Sequence, residues 1–222
     1  FGHTSTLPQI IKKQGMENYI FMRPVPHEKN LPCDLFWWEG PDGSRVLTYR
    51  IQISYNDEGS VMSRIKNIIS KSASQPMKSF MAFYGVGDHG GGATKENIAS
   101  ILELKTGKKA PQIFFSTPER YFEEVRSQKD LIIPVVKDDL QHHAPGCYTA
   151  ESSIKKGNRT SESALISAEK LAAIGTMAWD LDYPMEELTE AWKRILFLQF
   201  HDSLAGSSLY DHSETDRNGF VH

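Results

Sequence analysis

Cysteine is nearly absent from this 222-residue chain: Cys33 and Cys147 are the only two, far apart and in no Cys-x-x-Cys spacing. That scarcity excludes a disulfide framework and a zinc knuckle, and it favours a reducing, cytoplasmic setting. No apolar run approaches the roughly 20 residues that span a bilayer, so no membrane partner is expected. A basic excess is missing too: the formal charge of −3 argues against a nucleic-acid partner. Internal repeats, low-complexity tracts and a signal-peptide pattern are also lacking. The chain opens on Phe1 rather than Met, in what reads as the middle of a motif, so the true start is expected upstream. What is present is an ordinary globular composition, 39% hydrophobic and 24% charged, with ample length for a buried core.

The first part alternates between β and α signals. Tyr19 to Met22 is a short strand candidate. The stretch from Phe36 to Tyr49 reads as a hairpin, with Gly40-Pro-Asp-Gly43 as the turn between two β-rich flanks. Ser60 to Ser70 carries Val61, Ile65, Ile68 and Ile69 at helical spacing. Phe80-Met-Ala-Phe-Tyr84 and Gln112-Ile-Phe-Phe115 read as strands, the former of the buried parallel kind. Thr94 is an N-cap for a helix through Leu104, and Thr117-Pro118 caps and starts another through Val125. Strand, loop and helix in this rhythm imply an α/β layer or barrel.

Composition shifts near Gly146. From about Ser161 the spacing of Leu165, Ala168, Leu171, Ala172, Ile174 and Ala178 predicts a helix. Asp182-Tyr-Pro184 punctuates, a second helix runs to about Phe200, and a third begins around Asp211. The expected domains are therefore a partial α/β catalytic domain over 1–145 and a helical bundle over 146–222.

Three segments offer chemistry. His201 and Asp202 stand together at the end of an apolar helix; a neutral imidazole and a carboxylate there can bind a divalent metal or a polar substrate. Taken alone, such a pair more often caps helix carbonyls or faces solvent. Gly85-Val-Gly-Asp-His-Gly-Gly-Gly92 follows a strand candidate and precedes a helix, which is where α/β folds build their sites. It is not a Walker A loop, and Asp88 within it is a candidate for acid/base work. Phe1-Gly-His3 is short and carries little by itself. His142 and His143 are expected to be structural or at a substrate rim, because adjacent histidines in extended chain point to opposite sides. Trp37, Trp38 and Tyr55 could stack on a sugar face, though aromatics of this kind more often fill a core.

Together, Phe1-Gly-His-Thr with Leu7-Pro-Gln-Ile10, Tyr84 through Thr94, Gly146-Cys-Tyr-Thr149 with Lys155 through Arg159, and Gln199 through Ser208 resemble glycoside hydrolase family 38, the retaining α-mannosidases. The motifs follow the family's order and cover nearly the whole chain. The resemblance implies an α/β barrel-like catalytic domain, of which this chain holds a part, followed by a three-helix bundle, with one Zn2+ between them. It implies that His201 is a metal ligand and that Asp202 contacts substrate. Phe1 matches an aromatic beside the metal. Asp88 matches the general acid/base, with His89 the neighbouring alternative. Tyr55 matches a substrate-contacting tyrosine, with Asn56 where other members carry Asp. The nucleophilic Asp and two further metal ligands are implied upstream of Phe1, so the piece alone is expected to be inactive. The implied partner is a mannose-containing oligosaccharide, and a homo-oligomer is compatible with the sequence. A deacetylase-like metal hydrolase and a non-catalytic carbohydrate-binding remnant are the competing readings.

Overall fold

The computed structural model describes residues 3–56, 59–87, 90–106, 112–144, 146–147 and 149–207. The chain divides between His143 and Ala144 into two compact units.

The first unit is built on a four-stranded mixed sheet in the order β1-β3-β2-β4. Its strands are β1 (Asn18–Phe21), β2 (Leu35–Glu39), β3 (Arg45–Arg50) and β4 (Val135–Val136). The expected hairpin is β2–β3, antiparallel with Trp37 opposite Leu47, while β1 and β4 pair in parallel on either side. Gly43, at φ +83°, adopts the left-handed turn conformation that glycine reaches without strain, and Gly40 N–H donates to Ser44 O at 2.9 Å.

Strands β2 and β3 carry apolar residues on both faces because both faces of the sheet are covered. Side chains alternate with period two. Phe36, Trp38, Val46 and Phe21 pack with Ile11 of helix α1 (Leu7–Lys13). Leu35, Leu47 and Tyr49 pack with Tyr121, Phe122 and Val125 of α4 (Pro118–Ser127). Between these two helices in sequence, α2 (Met62–Ser72) and α3 (Lys95–Thr106) join through Val61, Ile65 and Ile101. Thr94 caps α3 as expected. Its Oγ1 accepts from Asn97 N–H at 3.0 Å, and Asn97 Oδ1 accepts from Thr94 N–H at the same distance. Thr117 caps α4 with a single bond, its Oγ1 accepting from Arg120 N–H at 3.5 Å, with Pro118 in the first turn.

Two expected strands are not strands. Phe80–Tyr84 and Gln112–Phe115 carry no ladder, and Phe114 is 72% exposed. The apolar sequence is right, but a strand exists only through backbone bonds to a neighbour. These segments instead line a cavity of about 520 Å³, bordered by Ile65, Ile68, Tyr84, Ile101 and Tyr121.

His3 lies beside β1, its Nδ1 2.5 Å from the Tyr19 hydroxyl and its ring against Phe21. Burial holds the imidazole below its usual pKa of 6.5, against an opposing hydrogen bond with the Arg23 backbone, and raises Tyr19 to about 12. The unfolded chain therefore takes up a proton at a higher pH than the folded one. Stability contributed by neutral His3 is present above about 6.5 and lost as pH falls towards the depressed folded value. The urea midpoint of His3→Gln should accordingly decline less between pH 7.5 and 5.5 than that of the parent chain. An equal decline would remove His3 as a cause.

The second unit contains two described helices, α5 (Ser152–Trp179) and α6 (Met185–Leu198), linked by Trp192 Nε1–H donating to Glu169 at 2.8 Å. Helix α5 begins about nine residues before the predicted start. Gly157 lowers helix propensity there by about 1 kcal/mol. Fully buried Ile154, packed with Leu198 and Leu204, overrides that cost. The third helix expected from Asp211 lies outside the described residues. Among those described, no helix is long and apolar enough to cross a membrane.

Candidate functional site

In the first unit the glycine-rich loop closes on itself. Val86 N–H donates to Gly92 O at 2.9 Å. At Gly91, which has φ +145°, a Cβ would lie 2.8 Å from Val86 Cβ. Only glycine fits that approach. The fold brings Tyr55 and Asn56 to this loop across some thirty residues of sequence. A Cβ on Gly87 would meet the Tyr55 ring at 2.6 Å, and Asn56 Oδ1 accepts from Gly87 N–H at 2.9 Å. Tyr55 remains 39% exposed, so its ring can still face a ligand. Asp88, His89 and Phe1 lie outside the described residues.

Buried Arg64, on α2, fixes the Tyr55 segment. It donates to Ser54 O and, through Nη2, to Asn56 O at 2.6 Å. Sequence reasoning missed this arginine. The available signal was a charged residue beside the Val61, Ile65, Ile68 stripe, at a position where solvent is excluded.

His142, His143, Trp37 and Trp38 of the first unit are structurally occupied. An arginine only donates, so Arg23 Nη1 at 2.6 Å makes His143 Nε2 an acceptor, and Nδ1–H then donates to Glu28 at 2.7 Å. Lys29 likewise donates to His142 Nε2 at 2.8 Å. The His143 contact is the main cause that holds the Glu28 carboxyl below its usual pKa. Trp38 is fully buried, its Nε1–H donating to Asp138 O at 2.8 Å, and Trp37 packs into the same sheet. Both belong to the core.

In the second unit, His201 and Asp202 stand three and four residues beyond the end of α6, in the turn that follows it rather than on the helix. His201 Nε2 is 3.8 Å from Asp202 Oδ1, and the His201 ring lies 4.2 Å from that of Phe200. Their side chains are 65% and 48% exposed. The turn is closed by Leu204 N–H to Phe200 O, Gly206 N–H to Ser203 O and Ser207 N–H to Asp202 O. Leading into it, Gln199 Nε2 donates to Asn158 Oδ1 at 3.0 Å and to Glu162 Oε1 at 2.7 Å. The imidazole suits zinc as a nitrogen donor. Among the described residues, however, no group of three His, Cys, Asp or Glu side chains is placed to hold a metal ion. These residues fit one ligand of such a site and not the whole of it.

The cavity beside Phe80 and Ile113 has a mainly apolar lining, with Lys78, Gln112 and Glu124 among its polar members.

Comparison with known proteins follows the same two-part division. Residues 1–145 match the glycosyl hydrolases family 38 N-terminal domain, and residues 142–217 match the alpha mannosidase middle domain. Alpha-mannosidase G of Dictyostelium discoideum is 32% identical over 94% of this chain and 19% of its own length. Alpha-mannosidase 2C1 of Homo sapiens is 30% identical over 94% of the chain and 20% of its own. The crystal structure of an alpha-mannosidase from Enterococcus faecalis superposes on 99% of this chain and 27% of that one, with a TM-score of 0.71 at 23% identity, so the fold is shared. The chain thus spans about a fifth of the length of the curated relatives it matches. With both domain models matched in order, the first of them over well beyond half its length, this chain belongs to glycosyl hydrolases family 38.

Proposed function

We propose that the protein to which this chain belongs is a retaining, zinc-dependent α-mannosidase that removes terminal α-linked mannose from glycans or oligosaccharides in the cytoplasm. The observation that carries this reading is the ordered match of two family 38 domains along the chain, together with a glycine-rich loop folded against Tyr55. The sheet-and-helix unit is then part of an α/β barrel-like domain. The helical unit is part of a three-helix bundle, and exposed Leu171, Met177 and Phe197 support a further packing partner for its helices.

In this reading Asp88 is the general acid/base. Its carboxyl gives a proton to the leaving oxygen, and its carboxylate later takes one from water. The nucleophilic carboxylate, which forms the covalent glycosyl-enzyme, comes from outside this sequence. Tyr55 and Asp202 orient the sugar, Tyr55 by stacking and Asp202 by accepting from hydroxyls. Phe1 stands beside the metal, and His201 supplies one of its nitrogen ligands. A zinc ion, when bound, supplies Lewis-acid polarisation of sugar hydroxyls.

The test is hydrolysis of an aryl α-mannoside by the full-length protein, with the product's anomeric configuration followed by NMR. Mannose should be released with retained configuration, lost on chelation and recovered with zinc. Hydrolysis that survives removal of every divalent metal, or an inverted product, would overturn the mechanism; release of acetate would replace it with a deacetylase. His201→Ala should weaken zinc retention beyond the roughly 10–100-fold typical of losing an outer-shell partner. Unchanged zinc content would strike His201 from the ligands.

A further inference from the structure

We infer that Lys155 is a positioning residue, whose ammonium pins the turn carrying His201 and Asp202 to the start of α5. The inference rests on the reading that this pair belongs to the active site. Lys155 lies in the first turn of α5, and its Nζ donates to three main-chain carbonyls. Two are in the loop leading into α5, Cys147 O at 3.2 Å and Ala150 O. The third, Ala205 O at 2.9 Å, is fifty residues away in the turn after α6. An ammonium has three N–H groups, and here each has its acceptor. Charge-assisted bonds of this kind are stronger than the neutral bonds that otherwise close the turn.

The backbone is shaped for this contact. Gly206, at φ +70°, lets the turn approach α5 so closely that a Cβ there would lie 2.8 Å from Glu151 Cβ. Leu204 packs on Ile154 and Leu198, and the Gln199 side chain is bonded to Asn158 and Glu162. The turn is therefore held at its entry by Gln199 and at its exit by Lys155, with His201 and Asp202 between. Both of those side chains are about half exposed or more, so the path of the main chain largely sets where they point. Burial lowers the Lys155 pKa, against the nearby Cys147 and Glu151, which fits a cation solvated by carbonyls in place of water.

The experiment compares Lys155→Met, Lys155→Arg and the wild type in the full-length protein. It reads deuterium exchange of the peptide covering 199–207 alongside kcat and KM on an aryl α-mannoside. Lys155→Met keeps the aliphatic stem and removes the charge and donors. It should speed exchange in 199–207 by about tenfold with the β2–β3 hairpin unchanged, and lower kcat/KM by about tenfold. Lys155→Arg, which keeps charge and donors, should recover most of both. Unchanged exchange in Lys155→Met, or an arginine variant no better than the methionine one, overturns the pin. If Lys155→Met does not fold, Gly206→Ala takes its place, because it displaces the turn without removing the charge. His201→Ala separates the two claims. If it leaves hydrolysis intact while Lys155→Met still loosens the turn, the site reading falls and the positioning role falls with it. If it abolishes hydrolysis while Lys155→Met leaves exchange unchanged, the pin alone fails.

Discussion

Asp88→Asn in the full-length protein should lower hydrolysis of an unactivated α-mannoside by about 10²–10⁴-fold, the usual range for loss of a general acid/base. The loss should depend on the leaving group. An alkoxide leaving from an ordinary glycan needs a proton in the transition state, whereas a nitrophenolate hardly does. With an activated aryl mannoside, glycosylation should thus be largely spared and deglycosylation should limit the rate, because water still needs a base. A small anionic nucleophile such as azide needs none, so it should restore turnover on the activated substrate and yield the mannosyl azide. Equal losses on both substrates, with no rescue, would show that Asp88 has another role. His89→Gln serves as the comparison, since a leaving-group-dependent loss there instead would transfer the role by one residue. The loop can support such a group. Val86, Gly91 and Gly92 close it, and Asn56 and Tyr55 press on Gly87, so its backbone is held on both sides of the acid.

How much of this was legible in the sequence depended on whether the signal was local. The β2–β3 hairpin could be read because the Gly40–Gly43 turn and its β-rich flanks are neighbours in the chain. The starts of α3 and α4 could be read because Thr94 and Thr117 bond to amides three residues on. Phe80–Tyr84 could not, because the same apolar run serves a buried strand or the wall of a cavity, and only a bonded neighbour decides. The early start of α5 was hidden by Gly157, whose cost is met by contacts with residues some forty positions away.

The site divides in the same way. Tyr55 and the Gly85–Gly92 loop were each conspicuous, but their contact is a product of the fold. Arg64 and Lys155 were invisible as site residues because each donates to main-chain carbonyls. A carbonyl carries no residue identity, so no spacing of residue types can announce it. His201 and Asp202 were found by sequence, yet in a different setting. The apolar run predicts a helix to Phe200, but α6 ends at Leu198 and the pair rides on the turn beyond.

The largest stability effect is expected at Asp34, which sits just before β2 and is 5% exposed. Arg50 reaches its Oδ1 with Nε and Nη2, both at 3.0 Å, and Gln52 Nε2 donates to Oδ2 at 3.0 Å. The same group ties the hairpin to its surroundings. Arg50 Nη1 donates to Lys29 O at 2.8 Å, and Asp34 N–H donates to Gln75 Oε1 at 3.0 Å. Asp34→Ala would strand a buried guanidinium. It would also take the partner of Gln52 Nε2, whose other terminal atom, Oε1, already has no partner among the described residues. Removing one member of a buried ion pair costs about 3–5 kcal/mol, so the urea midpoint of the chain should fall steeply. A charge-free replacement behaves differently, because the desolvation of both ions disappears along with their attraction. Asp34→Leu combined with Arg50→Met should therefore destabilise less than Asp34→Ala alone, and the cycle should show a coupling of at least about 1 kcal/mol. Additive losses would mean that Asp34 and Arg50 act separately, as anchors for Gln52 and Lys29. In that case the stability would reside in the separate bonds to Gln52 and to Lys29 O, and the ion pair between them would count for little.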